Sequence, residues 1–585
     1  MPGHKLARLA CVAVAAILVS GASFIPLADA KPTDAVAPAS EKPRLIVLTD
    51  IGNEPDDSMS MVRLLTYANE FDIEGLIATT STHLRDATHR EMIERRVRAY
   101  GQVLPNLRAH ASGYPDEAQL LRRIRSGSPF YGMSGVGTDK ETEASRLIIE
   151  AVDRPDPRPV WVTVWGGGAD LAQALWTVRA TRSPAEVDRF VSKLRVYSIS
   201  DQDDAGPWAR ANFPKLFWIT SVHAFGEYQL ATWSGITSPE PGVDQTQVSQ
   251  PWIDAHIRNR GPLGALYPRI VFGMEGDTPS FLYLIPNGLG SSEHPDWGSW
   301  GGRYGQIDQT LGLWTNAIDR YTGTGGQAVA SNQATVSRWR AAFQNDFAAR
   351  MDWSVQPRFV GANHPPRIQL NGVAGQAPLD ITACAGEGLH LSAKGTSDPD
   401  KQNLTYRWWQ YREPGAQLLS VQFGAVDSAE TTAIVQPWAQ PANLPLPASY
   451  AVHVILEVTD DGTPALTRYR RAVIHVLTGG AHDGRQCPAP SLRKPHAFTD
   501  EAADRPAAPG TFSTAETSLG DLMDNPNARA ILERHAPELT RNSQLGQARG
   551  MTLRILQNYM PILSDEVLNA IDADLSKIPV RQSGS

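Results

Sequence analysis

Four carboxylates, Asp50, Glu54, Asp56 and Asp57, crowd one short segment, Thr49-Asp50-Ile51-Gly52-Asn53-Glu54-Pro55-Asp56-Asp57. Acids this close repel one another, and a folded site holding them is destabilised unless a cation or solvent offsets the charge. Hard oxygen ligands suit Ca²⁺ or Mg²⁺, and Ca²⁺ better tolerates irregular, mixed coordination. Asp56 and Asp57 also read as ordinary acids facing a helix dipole. That reading leaves out Asp50, at the end of the preceding apolar run, and Gly52, which lets the backbone fold back.

A second mixed segment, Asp201 to Asn212, gathers Asp203, Asp204, Trp208 and Asn212 around an arginine. Carbohydrates are bound by such mixtures, with carboxylates and amides for hydroxyls and a ring face for the C–H surface. The same segment also reads as an acidic surface turn. Trp297 and Trp300, in the glycine-rich HPDWGSWGGRY run, are candidates for a sugar platform. His83 follows a strand-like run and is a candidate general acid or a structural hydrogen-bonder. Asp170 closes Trp165-Gly166-Gly167-Gly168-Ala169-Asp170, where the glycines permit close backbone approach or simply make a tight turn. The sequence has no P-loop, no zinc-type Cys/His spacing and no nucleophile elbow.

These residues must be positioned by alternating strands and helices. Leu45 to Leu48 reads as a strand, Asp57 to Asn69 as a helix and Ile73 to Thr80 as the next strand. Arg90 to Leu104 and Leu171 to Ala180 read as helices, and Pro159 to Trp165, Leu194 to Ile199 and Leu216 to Thr220 as strands. Such alternation implies a mostly parallel sheet with flanking helices, whose ligand site lies beyond the strand carboxyl ends. This α/β domain is expected over 43–360. A small Ig-like β-sandwich is expected over 365–478, with strands at Ile381 to Ala393, Leu404 to Tyr411 and Tyr450 to Thr459. In its strand at Leu404 to Tyr411, Trp408 and Trp409 point to opposite faces, so one is core and the other binds glycan or packs on the first domain. A Pro/Ala-rich linker follows at 479–510 and a small helical module at 511–580.

The composition narrows the class further. The chain has 585 residues, 42% hydrophobic, with 48 Gly and only 3 Cys, which excludes collagen-like, disordered and disulfide-scaffolded proteins. A net charge of −8, with no extended basic run, argues against nucleic acid as a partner. Lys5 and Arg8, the apolar run Leu9 to Val19 and the small-x-small Ala28-Asp29-Ala30 read as a secretory signal peptide over 1–30, cleaved after Ala30. Losing Lys5, Arg8 and Asp29 takes the net charge to −9, and losing Cys11 leaves Cys384 and Cys487 as a possible disulfide in an oxidising compartment. No later run of about 18 apolar residues offers a membrane anchor. The expected location is periplasmic or secreted.

The acidic loop resembles the nucleoside hydrolase superfamily, whose opening strand-loop-helix carries an Asp-x-Asp-Pro-Gly-x-Asp-Asp signature for Ca²⁺ and sugar hydroxyls. Asp50, Gly52 and Asp56-Asp57 match it, while Leu48 and Ile51 depart from it and two residues are inserted before the Asp pair. The stretch from Arg44 to Leu477 is more similar to a bacterial family labelled cellulose-binding, in which such a domain precedes a β-sandwich. The carrying segments are TDIGNEPDDSMSMVRLL, VTVWGGGADLAQAL, DQDDAGPWARANFP, GMEGDTPSFLYLIPNGL, WGSWGGRYG and SDPDKQNLTYRWWQY. The resemblance implies a nucleoside hydrolase-like sheet and a Ca²⁺ shell of Asp50, Asp57 and Asp277. It also implies that Asp50 or Asp56 takes a proton from water, and that Glu54 and the mixed segment meet the sugar. Where nucleoside hydrolases place a proton-donating His before the late Asp, this chain has Gly276. The expectation is a Ca²⁺-dependent hydrolase of glycosyl bonds; the alternative is a carbohydrate-binding protein that has lost its proton donor.

Overall fold

A computed structural model describes residues 42–415, 419–436, 440–441, 449–477, 480–482, 485–487, 492–493, 512–540, 548–560 and 562–578. The expected signal peptide and its cleavage site lie outside these residues, as does most of the expected linker.

The sheet is built from β1 (Arg44–Thr49), β2 (Asp72–Ala78), β3 (Ile124–Ser126), β4 (Val160–Val164), β5 (Leu194–Ser198), β6 (Phe217–Thr220), β7 (Tyr304–Gln306) and β8 (Leu313–Asn316). Its spatial order is β3-β2-β1-β4-β5-β6-β8-β7, parallel throughout except for β7 against β8. From β1 the chain runs outward through β2 to β3, then returns to build β4, β5 and β6 on the other side. The β1/β4 crevice is therefore the point where strand order reverses, the place in open α/β sheets where ligands bind.

The period of two in β1 divides its side chains between two cores. Leu45 and Val47 pack on the face covered by α1 (Pro55–Thr66), α2 (Arg90–His110) and the late helix Arg340–Val355; Ile46 and Leu48 pack on the opposite face. There α3 (Glu143–Asp153), α4 (Ala169–Thr181) and α5 (Pro184–Ser192) supply Leu147, Ile148, Leu175 and Phe190. Burial on both faces explains why the strands read as near-continuous apolar runs. α1 starts two residues before its expected position because Pro55 takes the first helical position, where its fixed φ is pre-organised and its missing N–H costs nothing. Asp56 and Asp57 thus occupy the first turn, aimed at the crevice.

The β-sandwich has a four-stranded sheet ordered Leu379–Cys384, Thr467–Leu477, Ser449–Asp460, Leu404–Tyr411 and a three-stranded sheet of Gly388–Ser392, Glu430–Val435 and Val421–Phe423. The single strand expected over Ile381 to Ala393 is two strands, because Gly386 turns the chain with φ +81°. Val452, Val454, Leu456 and Val458 fill the core, as their alternation implied, together with Trp408. Trp409 packs on the first domain, its ring 6.0 Å from Trp339, with the Arg338 guanidinium 5.2 Å from its centroid. Cys384 and Cys487 form a disulfide. Further on, the helices Leu519–Asp524, Pro526–His535, Pro537–Thr540, Leu553–Leu556 and Asp565–Leu575 enclose their own core of Leu522, Leu532, Leu539, Leu556 and Leu568. Among the described residues, no helix is long and apolar enough to cross a membrane.

Candidate active site

The loop after β1 brings carboxylates to the β1/β4 crevice, and α1 presents two more from its first turn. Asp56, Asp57 and Asp277 each offer an oxygen, and the three oxygens lie within 4.8 Å of one another. Asp277 arrives from the N-cap of the short helix Thr278–Leu282. Ser60, one turn along α1 from Asp56, donates to Asp277 Oδ2 at 3.4 Å and accepts from the Thr278 hydroxyl at 3.0 Å. Thr49, the last residue of β1, donates its hydroxyl to Asp57 Oδ1. Asp50 is buried beside Gly166, with Ser81 and Asp57 among its polar neighbours.

The electrostatics follow from this crowding. Burial, then the charge of Glu54 and of Asp50, pushes Asp56 up to about 7. Asp57 and Asp277 are raised well above the ordinary carboxylate range, first by burial and then by their acidic neighbours. Asp50 is raised as well, chiefly by burial. Asp56 Oδ1 is buried without a hydrogen-bond partner. An unpartnered buried carboxylate oxygen next to two further carboxylates is a donor set that a hard divalent cation would satisfy. The triad differs from the expected one in that Asp56, rather than Asp50, joins Asp57 and Asp277; its position in the first turn of α1 turns it toward them.

Backbone around the crevice is built for close approach. A Cβ at Gly166 would come 2.6 Å from Asp50 Oδ1, and one at Gly167 2.4 Å from Asp203 Oδ2. Gly52, at φ +118°, tucks the acidic loop beneath the His89 ring. A Cβ at Gly276 would meet Trp233 Cζ3 at 2.9 Å and Asp56 Oδ2 at 3.0 Å, so Trp233 stands where a side chain from that position would go.

Several expected sugar contacts are engaged elsewhere. Asp170 is fully buried and accepts from the Thr142 hydroxyl at 2.7 Å, the Ser128 amide at 3.1 Å and the Thr79 hydroxyl at 3.3 Å, strapping loops together. Asp203, pushed up to about 7 by burial, accepts the Gly168 and Ala205 amides at 2.8 and 2.9 Å. Asp204 accepts the Met133 amide at 2.8 Å. Trp208 lies over the second core with the Arg179 guanidinium 5.1 Å from its ring, and Asn212 bonds the same arginine and the Trp208 carbonyl. Trp297 stacks on His294 at 4.0 Å and lies edge-on to His453 of the sandwich, and buried Trp300 meets Tyr469 edge-to-face. Both tryptophans serve the junction between the domains, where a ring face is covered by protein. Glu54 caps α1 half-buried, with no side-chain capping bond.

Beside the acids stands a group in which the expected candidate His83 meets residues that the sequence did not reveal. His83 Nε2 lies 3.2 Å from Tyr228 Oη, and the Tyr228 ring packs edge-on to His223, with centroids 5.2 Å apart, and tilted to Trp233 at 6.2 Å. Trp233 Nε1 donates to Ser200 Oγ at 3.0 Å, and Ser200 Oγ lies 2.7 Å from His223 Nε2. Tyr228 and Trp233 belong to irregular single turns after β6, which carry no periodicity to read. Ser60 was readable, since it shares a helix face with Asp56 at i, i+4.

Comparisons with known proteins give the chain a family. Residues 44–304 match the family described as cellulose-binding Sde182, nucleoside hydrolase-like domain, and residues 388–476 match the C-terminal domain of the cellulose-binding protein Sde0182. A nucleoside hydrolase-related hypothetical protein from Saccharophagus degradans, described as associated with carbohydrate metabolism, is 37% identical with a TM-score of 0.63, covering 74% of this chain and 100% of its own. The effector protein XOO4466 is 12% identical with a TM-score of 0.26, covering 54% of this chain and 95% of its own. No curated protein matches the chain.

Proposed function

Since the chain belongs to the Sde182 family of cellulose-binding proteins with a nucleoside hydrolase-like domain, we propose that it is a Ca²⁺-dependent hydrolase of glycosyl bonds in a sugar or plant-wall-derived carbohydrate, working in the periplasm or outside the cell. The observation that carries this reading is the buried, unpartnered Asp56 Oδ1 beside Asp57 and Asp277 at the β1/β4 crevice. Asp56, Asp57 and Asp277 would hold the cation, which when bound supplies Lewis-acid activation of a water and fixes sugar hydroxyls. Ser60 holds the Asp277 carboxylate in register with α1. Asp50, outside the triad and buried at the end of β1 beside Gly166, accepts the proton of the attacking water. Glu54, half-buried at the mouth, accepts hydroxyls of the sugar, and the negative field of the pocket favours an oxocarbenium-like transition state.

A second reading, a carbohydrate-binding protein without catalysis, is favoured by Gly276, whose missing side chain removes a proton donor beside Asp277. Calcium titration and a hydrolysis assay separate the two. The hydrolase releases product from aryl glycosides or nucleosides only with Ca²⁺; a protein that is inert on all of them yet retained on insoluble cellulose is a binder.

A further inference from the structure

The reading above leaves open what protonates the leaving group, and the following step rests on that reading. Position 276 cannot supply the proton. A side chain there would run into the Trp233 indole and Asp56 Oδ2. Trp233 is itself held by the hydrogen bond from its Nε1 to Ser200 Oγ. Ser200 must then donate its own hydrogen to His223 Nε2, because His223 Nδ1, 2.8 Å from the Ala224 carbonyl, carries the ring proton. Both His223 nitrogens are thus engaged, and His223 in its neutral form has no hydrogen to give.

Tyr228 is placed differently. Its ring is braced between those of His83 and His223, at 5.7 and 5.2 Å, and lies 6.2 Å from the ring of Trp233, the indole that shares the space beside Gly276 with Asp56 Oδ2. Burial, and then the charge of Glu54, raises its pKa, so the phenol keeps its proton at neutral pH. When His83 carries its hydrogen on Nε2, it donates to Tyr228 Oη and leaves the phenolic hydrogen free to point outward. Beside the phenol lies a cavity of about 200 Å³ lined by Asp201, Ser221, His223, Phe225 and Tyr228, with the Phe225 ring exposed at its edge. Its polar and aromatic walls suit the ring of a small leaving group.

We propose that Tyr228 is the catalytic residue that protonates the leaving group, that His83 positions its hydroxyl, and that the adjoining cavity is the leaving-group subsite. In this step the bond from the anomeric carbon to the leaving oxygen or nitrogen breaks and its electron pair stays with the leaving atom. That atom takes the Tyr228 proton. The hydroxide part of a water molecule bonds to the anomeric carbon, and the water's remaining proton, first held by Asp50, returns through solvent to the tyrosinate. His83 Nε2–H stabilises the tyrosinate while it lasts. The net change is addition of one water across the glycosyl bond.

The test uses the full-length protein with Ca²⁺ on pairs of aryl glycosides sharing one sugar, 2,4-dinitrophenyl against phenyl, as ribofuranoside, arabinofuranoside and glucopyranoside. Tyr228→Phe is expected to slow the phenyl member by about 100-fold or more while the dinitrophenyl member, whose leaving group needs no proton, stays within a few-fold of wild type. His83→Gln is expected to slow the phenyl member less and to change its pH–rate profile, with the melting temperature of both variants unchanged. Equal slowing of both members by Tyr228→Phe, or no slowing of either, overturns the assignment to Tyr228 and leaves the hydrolase reading intact. A wild-type protein inert on every pair overturns the hydrolase reading, and this step with it.

Discussion

Asp57 and Asp277, one in the first turn of α1 and the other at the cap of a helix more than two hundred residues later, hold carboxylate oxygens within 4.8 Å of each other and of Asp56. Without a cation, this arrangement opposes folding at neutral pH. Asp50, Asp57 and Asp277 are all raised above the ordinary value and Asp56 is raised to about 7, so the folded state keeps protons that the unfolded chain releases near pH 4. Stability is therefore greatest below about pH 4 as far as these groups decide it, and it falls as pH rises toward 7.

Melting in EDTA is accordingly expected at a lower temperature at pH 7.5 than at pH 5, and Ca²⁺ at 100 times its dissociation constant is expected to add about 2.7 kcal/mol at pH 7.5. Asp57→Asn, which keeps an acceptor for the Thr49 hydroxyl, is expected to raise the EDTA melting temperature at pH 7.5 and to abolish the Ca²⁺ increment. A lower EDTA melting temperature in the variant would show that the carboxylate is not opposed by its neighbours.

At Gly276 the constraint is steric. Gly276→His places a ring against the Trp233 indole and Asp56, and overpacking of this kind is expected to cost about 1–3 kcal/mol. The double variant Gly276→His/Trp233→Ala is expected to recover part of that cost. Thermal unfolding of the four proteins forms the cycle, and strict additivity would mean that the two residues do not compete for space.

The sandwich docks on the first domain through Arg471, fully buried, which donates to the Leu289 and Trp297 carbonyls at 2.7 and 2.9 Å. Arg471→Ala strands both carbonyls and is expected to cost about 3 kcal/mol. Calorimetry is expected to resolve two unfolding transitions in the variant, and a single transition at the wild-type temperature would remove Arg471 from the docking account.

Cys384 and Cys487 are 103 residues apart in the chain, so their disulfide closes a large loop in the unfolded state. On chain entropy its reduction is expected to cost about 5 kcal/mol. Chemical denaturation with and without reductant measures this directly, and coincident curves would show that the bond adds nothing to the fold.

Much of the architecture was legible in local pattern. The apolar strands β1, β4 and β5 announced themselves because burial on both faces leaves no polar alternation, and the acidic loop stood out because four carboxylates after a strand end have few structural uses. What pattern could not supply was direction. Trp297 and Trp300 read as sugar platforms, but a ring that binds sugar and a ring that packs a domain junction have the same sequence signature; only His453 and Tyr469, far along the chain, distinguish them. Asp170 likewise gave no sign that Thr142, Ser128 and Thr79 would occupy its oxygens. Tyr228 and Trp233 stayed hidden because irregular backbone after β6 positions them, without periodicity or motif.

The central claim is that the acidic crevice holds a cation for glycosyl hydrolysis, and the most direct measurement is the rate of release from aryl glycosides and nucleosides as Ca²⁺ is withdrawn and restored. The account expects release that EDTA abolishes, that added Ca²⁺ restores in full, and that Asp57→Asn and Asp277→Asn each reduce by at least about 100-fold. Release that is indifferent to EDTA, or no release from any substrate at saturating Ca²⁺, would contradict it.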